Sequence, residues 1–399
     1  MQGFGGIYPR IGGHMRAHFV TPLVVLALLL TIPGLAQGAP AASSRDSARK
    51  VPKVNFFAGK TVRVGEWACS AVIGDFDRDK KVDIAVANED PGENSVSLLD
   101  GNGKGAFRRV KNYGVGEGPA QVVAADFNRD GLLDLATANS LSDSITVLYG
   151  QKNGTFANAR SFRTDKWPQT MTVGDFNGDR VPDIATGNYL GYSVSVLLGD
   201  GHGGFKSAHN IEDWGTCEVI ASGDFNEDGK LDLAVGSPSD DVVWILAGDG
   251  KGSFTDIDSS YWVDQTPRFI AVADFNRDGH KDLAVACWGA NSISVLLGKG
   301  NGHFSDASSY MVEGEPFCVA VGDFNHDKKP DLVSADWEMK GTSTVLLGVG
   351  DGTFVSGKIL RAGSVTQGVA AGDLNGDGWD DIVACNHGSA SVSIFLNRH

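Results

Sequence analysis

The chain has 399 residues, is 42% hydrophobic and 9% aromatic, and sets 34 basic against 49 acidic side chains for a formal charge of −15. No Lys/Arg-rich run or face stands out, which argues against nucleic acid as a partner. No sustained 3.6-residue apolar period occurs, so an all-β chain is expected.

Residues 1–18 hold Arg10 and Arg16 and no acid, Phe19 to Ile32 is apolar but short for a membrane span, and small residues from Ala36 to Ala41 follow. This pattern predicts a signal peptide over 1–39, a polar linker over 40–53 and one repeat domain over 54–399. The expected location is secreted, periplasmic or cell-surface, with no membrane span in the mature chain. Cys69, Cys217, Cys287, Cys318 and Cys385 show no metal-type spacing, and each falls in or beside an apolar run of a different repeat. They read as small buried hydrophobes.

From residue 54 the chain is periodic. Seven acidic segments recur about fifty residues apart: DFDRDKKVD from Asp75, DFNRDGLLD from Asp126, DFNGDRVPD from Asp175, DFNEDGKLD from Asp224, DFNRDGHKD from Asp274, DFNHDKKPD from Asp323 and DLNGDGWDD from Asp373. Position 3 is Asp77, Asn128, Asn177, Asn226, Asn276, Asn325 or Asn375. Position 5 is Asp79, Asp130, Asp179, Asp228, Asp278, Asp327 or Asp377, and position 9 is Asp83, Asp134, Asp183, Asp232, Asp282, Asp331 or Asp381. Oxygens at 1, 3, 5, 7 (backbone) and 9 are the spacing by which the first part of an EF-hand loop wraps a hard cation. Up to seven Ca²⁺ sites are therefore expected, and their charge would offset most of the net negative charge. Position 6 is Gly131, Gly229, Gly279 or Gly378 in four copies and Lys80, Arg180 or Lys328 in the others. A sharp turn there favours a residue free to take positive φ. The Glu that closes an EF-hand at position 12 is missing; Val86 stands there in the first copy. A β-like run such as Asp83 to Ala87 follows each loop, so the loop belongs to a hairpin.

Each repeat keeps one order of elements. An apolar strand (Val122 to Ala125, Ile270 to Ala273) enters the acidic loop, and a second strand (Asp134 to Ala138) leaves it. A polar turn and an alternating third strand (Ser193 to Leu198) follow. A Gly-rich turn ending in Phe107, Phe156, Phe205, Phe254, Phe304 or Phe354 then opens a fourth strand. Four short antiparallel strands per period make a propeller blade. Phe56 stands as far before Asp75 as most of these rings stand before their next loop. Residues 54–64 should therefore be a lone fourth strand that pairs with the last third strand, Ser391 to Leu396. The prediction is a seven-bladed β-propeller of four-stranded antiparallel blades, closed by the N-terminal strand.

These repeats resemble FG-GAP/VCBS-type repeats, which are similar to the N-terminal propeller of integrin α-subunits. The likeness rests on the D-x-[DN]-x-D-x-x-x-D loops and the Gly-Phe turns over about residues 54–397. It implies Ca²⁺ in the loop between the first and second strands of a blade. The family's Gly-Ala-Pro element is reduced here to Pro119, Pro168, Pro267 and Pro316 in four repeats. Adhesion modules, lectins and some polysaccharide lyases share the repeat, so it leaves function open.

In such a meander the acidic loops and the Gly-Phe turns share one face, and the other connections share the opposite face. Trp67, Trp167, Trp214, Trp288 and Trp337 map to that second face and are the candidate ligand-binding residues. Trp262, Tyr189 and Tyr192 lie near it; Trp244 and Trp379 do not. Gln121, Gln169, Glu218, Arg268 and Gln367 lie at the same end of first strands and could add polar contacts. Flat rings with amides and charge suit a glycan or an extended peptide. No nucleophile–base pattern or phosphate loop recurs, and only His387 reaches that face, so no catalytic residue is predicted. The expected function is an exported, monomeric, calcium-binding module for adhesion to a glycan or protein ligand. The alternative is a polysaccharide-active, lyase-like enzyme using the Trp-rich face as a sugar subsite.

Overall fold

Runs of Val, Ser, Thr and Leu between Gly-rich turns pair as seven four-stranded antiparallel sheets. This computed structural model describes residues 53–57, 60–212 and 215–398. The expected signal peptide over 1–39 and the linker up to residue 52 lie outside the described residues. Blade 1 runs Ala68–Gly74, Asp83–Asn88, Ser95–Gly101 and Phe107–Gly114, and five blades repeat that order to Phe354–Arg361. Blade 7 joins Thr366–Gly372, Asp381–Asn386 and Ser391–Phe395 to Lys60–Arg63 from the other end of the chain. Lys60 pairs with Ile394, Arg63 with Ser391, and Phe56 bridges Asn397, so the ring closes as predicted. The seven first strands touch one another in a closed circle around an axial channel.

Blades are riveted by aromatic pairs. The Phe at loop position 2 meets the Gly-Phe ring of the next blade edge to face: Phe76 with Phe156, Phe127 with Phe205, Phe176 with Phe254, Phe225 with Phe304 and Phe275 with Phe354. Phe324 meets Phe56 at 5.7 Å, so the N-terminal segment supplies the ring that a C-terminal fourth strand would have carried. At the last junction Leu374 stands in for Phe and shares a cluster with Phe107. Burying one such ring stabilises by roughly 2–3 kcal/mol.

The ninth loop residue builds the fold as well. Its buried carboxylate takes the N–H of loop position 2 on one oxygen and an N–H at the end of the third strand on the other. Asp83 accepts from Phe76 at 3.1 Å and from Gly101 at 2.9 Å; Asp381 accepts from Leu374 at 3.0 Å and from Asn397 at 2.7 Å. Asp134, Asp183, Asp232, Asp282 and Asp331 repeat the pair. The residue that donates this second N–H is glycine in six blades because a Cβ on Gly101, for example, would lie 1.9 Å from the Val82 carbonyl oxygen.

One expectation needs correction. In blades 3 and 5 the Gly-Phe ring does not open the fourth strand. Phe205 and Phe304 make single bridges to Gly199 and Gly298, and the strands begin at His209 and Ser308. Other blades bulge at the same place, between Val147 and Tyr149 in blade 2. In blades 3 and 5 the irregularity is wider and ends the third strand at Leu197 or Leu296. The ring stays docked on its neighbour while the ladder gives way.

Candidate functional site

Each acidic loop is folded around its first carboxylate. Asp126 accepts the Asp130 N–H at 3.0 Å and the Gly131 N–H at 2.7 Å, while Asn128 Oδ1 accepts from Asp130 and Asp130 Oδ1 from Leu132, both at 2.9 Å. The turn puts position 6 in left-handed backbone in every copy, from φ 62° at Lys328 to 95° at Gly279. Position 4 is left-handed too, at 63° for Arg78 and 58° for Arg129. That second requirement is invisible in the sequence, since only Gly178 and Gly376 are glycine there.

Among the described residues, carboxylate oxygens of Asp75, Asp77 and Asp83 lie within 4.8 Å of one another and form a group that could hold a metal ion. Asp75 Oδ1 is buried there without a hydrogen-bond partner. An all-oxygen set with an unmet lone pair fits a hard divalent cation. Burial raises Asp83, Asp134, Asp183 and Asp282 to about 6 and Asp331 and Asp381 to about 7, so these loops hold their negative charge at a cost that a cation relieves. In three loops a lysine at position 7 pairs with the carboxylate at position 5: Lys81 with Asp79, Lys230 with Asp228 and Lys329 with Asp327.

At the opposite end a repeated backbone bond shapes the channel mouth. The carbonyl just before a first strand accepts the N–H just after the second strand. Trp67 accepts from Glu89 at 3.0 Å, Trp167 from Tyr189 and Thr266 from Trp288 at 2.9 Å, Glu315 from Trp337 at 2.7 Å and Val365 from His387 at 2.8 Å. Trp67 and Trp167 take φ of 56° and 61°, a costly conformation for large side chains. Asp143 Oδ1 accepts the Trp167 N–H at 3.0 Å and helps to hold it there. Deeper in the channel, the pairing of six first strands slips by one residue, between Pro119 and Gln121 for instance. The residues skipped are Cys69, Ala120, Gln169, Arg268, Phe317 and Gln367, and all six line an axial cavity of about 80 Å³. A bulge re-aims a side chain; here, in six of the seven blades, it brings one residue to the lining of the axial cavity.

Rings then run along the mouth from blade to blade. Trp67 stacks on His387 at 5.3 Å, His387 meets Trp337 at 5.0 Å, and Trp337 meets Phe317 at 5.5 Å. The Arg268 guanidinium lies 5.5 Å from the Phe317 ring and 5.7 Å from Trp288, extending the run into a fourth blade. Arg268 is also ion-paired with buried Glu218, whose carboxyl is raised by burial against the pull of that arginine. Burial lowers His387 to about 4, so it is a neutral ring at ordinary pH. Burial raises Glu89 to about 7, opposed by a hydrogen bond from Gln367.

Of the five tryptophans expected at this face, Trp67, Trp288 and Trp337 belong to the run. Trp167 stands in blade 3, where its Nε1–H donates to Gln169 Oε1 at 3.2 Å. Trp214 lies outside the described residues. The four described rings are half-buried, whereas Trp262 is 73% exposed at the end of an outer strand. Trp379 packs on His326 at 4.5 Å on the acidic-loop face. Gln121, Gln169, Arg268 and Gln367 do meet around one cavity. Phe317 and Glu89 are functional candidates with no sequence signal, because only the bulge and the closing of the ring bring them to the mouth. All five cysteines are unpaired, and four are buried.

A seven-bladed β-propeller with an acidic-loop face and an aromatic channel mouth is thus the class that fold and site define. FG-GAP-like repeats match at residues 75–137, 126–186, 224–285, 274–334 and 323–384, and the chain belongs to that family. No curated protein matches the chain. Among solved structures it is similar to BBS1N in complex with ARL6DN, at 13% identity over 87% of this chain and 98% of that chain, with a TM-score of 0.62. It is also similar to a catalytically inactive virginiamycin B lyase from Staphylococcus aureus with quinupristin, at 13% identity over 86% and 99% of the two chains, with a TM-score of 0.56. A protein of Desulfotomaculum acetoxidans aligns at 16% identity over 81% of this chain and 90% of its own, with a TM-score of 0.54. At these identities the likeness shows the fold.

Proposed function

We propose that this chain is an exported, calcium-stabilised binding or adhesion module that takes a glycan or protein ligand at the aromatic end of its channel. The observation that carries this reading is the continuous run from Trp67 through His387 and Trp337 to Phe317, with Arg268 and Trp288 beside it. Half-buried rings held by strand ends offer stacking area with little ordering cost. Calcium belongs to the other face, held in the first loop by Asp75, Asp77 and Asp83 and elsewhere by the corresponding positions, where it supplies charge that offsets crowded carboxylates. BBS1N, which shares the fold, is seen in complex with ARL6DN, and this supports a protein as one ligand class.

The test is a glycan and peptide array on purified protein in calcium, followed by Trp288→Ala and Trp337→Ala against whatever binds. Loss of one ring should weaken binding about tenfold or more, from ~1–3 kcal/mol of stacking and burial. Unchanged affinity in both folded variants returns these rings to a packing role. A lyase-like reading has one observation in its favour: His387 and Glu89 stand at the mouth with ionisation moved by burial. Product released from the bound ligand selects that reading; an intact ligand after long incubation rejects it.

A further inference from the structure

The axial cavity of about 80 Å³ presents hydrogen-bond donors that the protein itself does not use. Gln121 and Gln169 both line it. Gln121 Oε1 accepts the Met171 N–H at 2.5 Å, and Gln169 Oε1 accepts the Trp167 indole N–H at 3.2 Å. Both partners can only donate, so each amide is pinned with its oxygen inward and its NH₂ left over. Neither NH₂ has a hydrogen-bond partner among the described residues, although Gln169 is only 7% exposed. Both nitrogens stay open to solvent, whereas the unpartnered Oε1 of Gln367 in the same lining is sealed from it. Among the described residues of the lining Arg268 alone is charged; its partner Glu218 lies outside the lining.

We infer that the axial cavity takes a carboxylate carried on a short flexible chain, the chemistry of a glutamate side chain in a protein ligand. The inference rests on the ligand-face reading above and narrows it. A carboxylate offers acceptors only, on two oxygens, and so answers a guanidinium and two amide NH₂ groups. Size decides which carboxylate enters. Roughly 150 Å³ is the space that admits a benzene ring, so half of that excludes a pyranose but takes a carboxylate and its methylene. At ~10–15 Å³ per water the cavity holds several waters, and the carboxylate oxygens replace their bonds to the donors. Phe317 both ends the aromatic run and lines the cavity, so a chain held at the mouth continues inward along it.

The experiment uses the full chain in millimolar calcium at low salt and about pH 7, where a glutamate carboxyl is ionised. Nα-acetyl-glutamate amide, Nα-acetyl-glutamine amide and glucuronate are titrated in turn while the Trp167 indole N–H resonance is followed, because that group is bonded to Gln169. The glutamate amide should shift it saturably, and the glutamine amide should bind about tenfold more weakly or less well still. Gln169→Glu keeps an acceptor for the indole but sets a negative charge in the lining, and should lose the response. Equal binding of the two amides overturns the inference, as does an unchanged response in Gln169→Glu at an unchanged melting temperature. If that variant melts lower, Arg268→Gln combined with Glu218→Gln is read in its place; it removes both charges of the pair, and a retained response overturns the inference. Glucuronate binding as tightly as the glutamate amide overturns the argument from size and gives the cavity to acidic sugars. A neutral glycan held through Trp288 and Trp337, with no response to the glutamate amide, sinks this inference and leaves the binding module standing.

Discussion

Asp336 puts a carboxylate in blade 6 where four other blades carry a buried asparagine, and replacing it by asparagine should stabilise the protein. The last residue of the second strand is Asn88, Asn139, Asn188 and Asn386 in blades 1, 2, 3 and 7. Asn139 accepts from Thr137 at 2.8 Å and donates to Ser144 at 3.3 Å and Thr146 at 2.9 Å. Asp336 has the same surroundings: Ser334 at 2.5 Å, Thr342 at 3.2 Å and Thr344 at 2.9 Å, all donating to it. Burial nevertheless raises its carboxyl to about 6. Holding the anion there at neutral pH costs roughly 3 kcal/mol relative to the ordinary value near 3.8. Because the folded value lies above the unfolded one, the native state keeps its proton longer, and wild-type stability falls as pH rises from about 3.8 to about 6. An asparagine carries no charge and escapes that loss. The Thr342 and Thr344 hydroxyls rotate to accept its amide, as Ser144 and Thr146 do in blade 2.

Asp336→Asn should therefore gain about 3 kcal/mol at pH 7 but only about 1 kcal/mol at pH 4.5. With unfolding entropy near 2.1 cal/mol/K per residue over the ~350 residues of Lys50–His399, the neutral-pH gain is about 4 °C in melting temperature. Calorimetry of both proteins at both pH values, at one calcium concentration, measures the double difference and cancels every group they share. No gain at pH 7, or a gain independent of pH, would refute the reasoning.

Three further outcomes follow from the loops and the ring closure. Calcium should stabilise by roughly 2–3 kcal/mol per site at a hundred times its dissociation constant, so equal melting temperatures in EDTA and in ~5 mM CaCl₂ remove calcium from the account. Lys328→Gly relieves a side chain held at φ 62°; at ~1 kcal/mol it should raise calcium affinity in that loop about fivefold by titration calorimetry, and no gain means the strain is not released on binding. Deleting residues 54–64 removes the partner of Ser391–Phe395 and the ring that packs on Phe324; aggregation or loss of cooperative melting is expected, and a soluble, cooperative truncation shows that closure is made another way.

The seven acidic loops, the Gly-Phe turns and the position of Phe56 made the fold legible, because each is a local rule repeated in register. A loop that needs Asp at 1, 5 and 9 writes that need into nine consecutive residues. A fourth strand without its first three announces ring closure by its spacing alone. The end of the molecule that carries the tryptophans was legible for the same reason, since a meander assigns every connection to one of two faces. The left-handed backbone at loop position 4 was not, because Arg78, Arg129, Glu227, Arg277 and His326 all adopt it without being residues that prefer it.

What the sequence determined by itself is therefore the periodic part: blade number, closure, the oxygen-rich loops and which face is aromatic. Only the tertiary structure decided which side chains meet. Phe317 and Gln367 reach the axis because bulges turn them there. Trp67 meets His387 because closing the ring sets blade 7 against blade 1. Glu89's carboxyl is raised to about 7 by the burial that folding imposes. These are contacts between residues remote in the chain. Their energy depends on distance and burial in three dimensions, which no local pattern of residue types encodes.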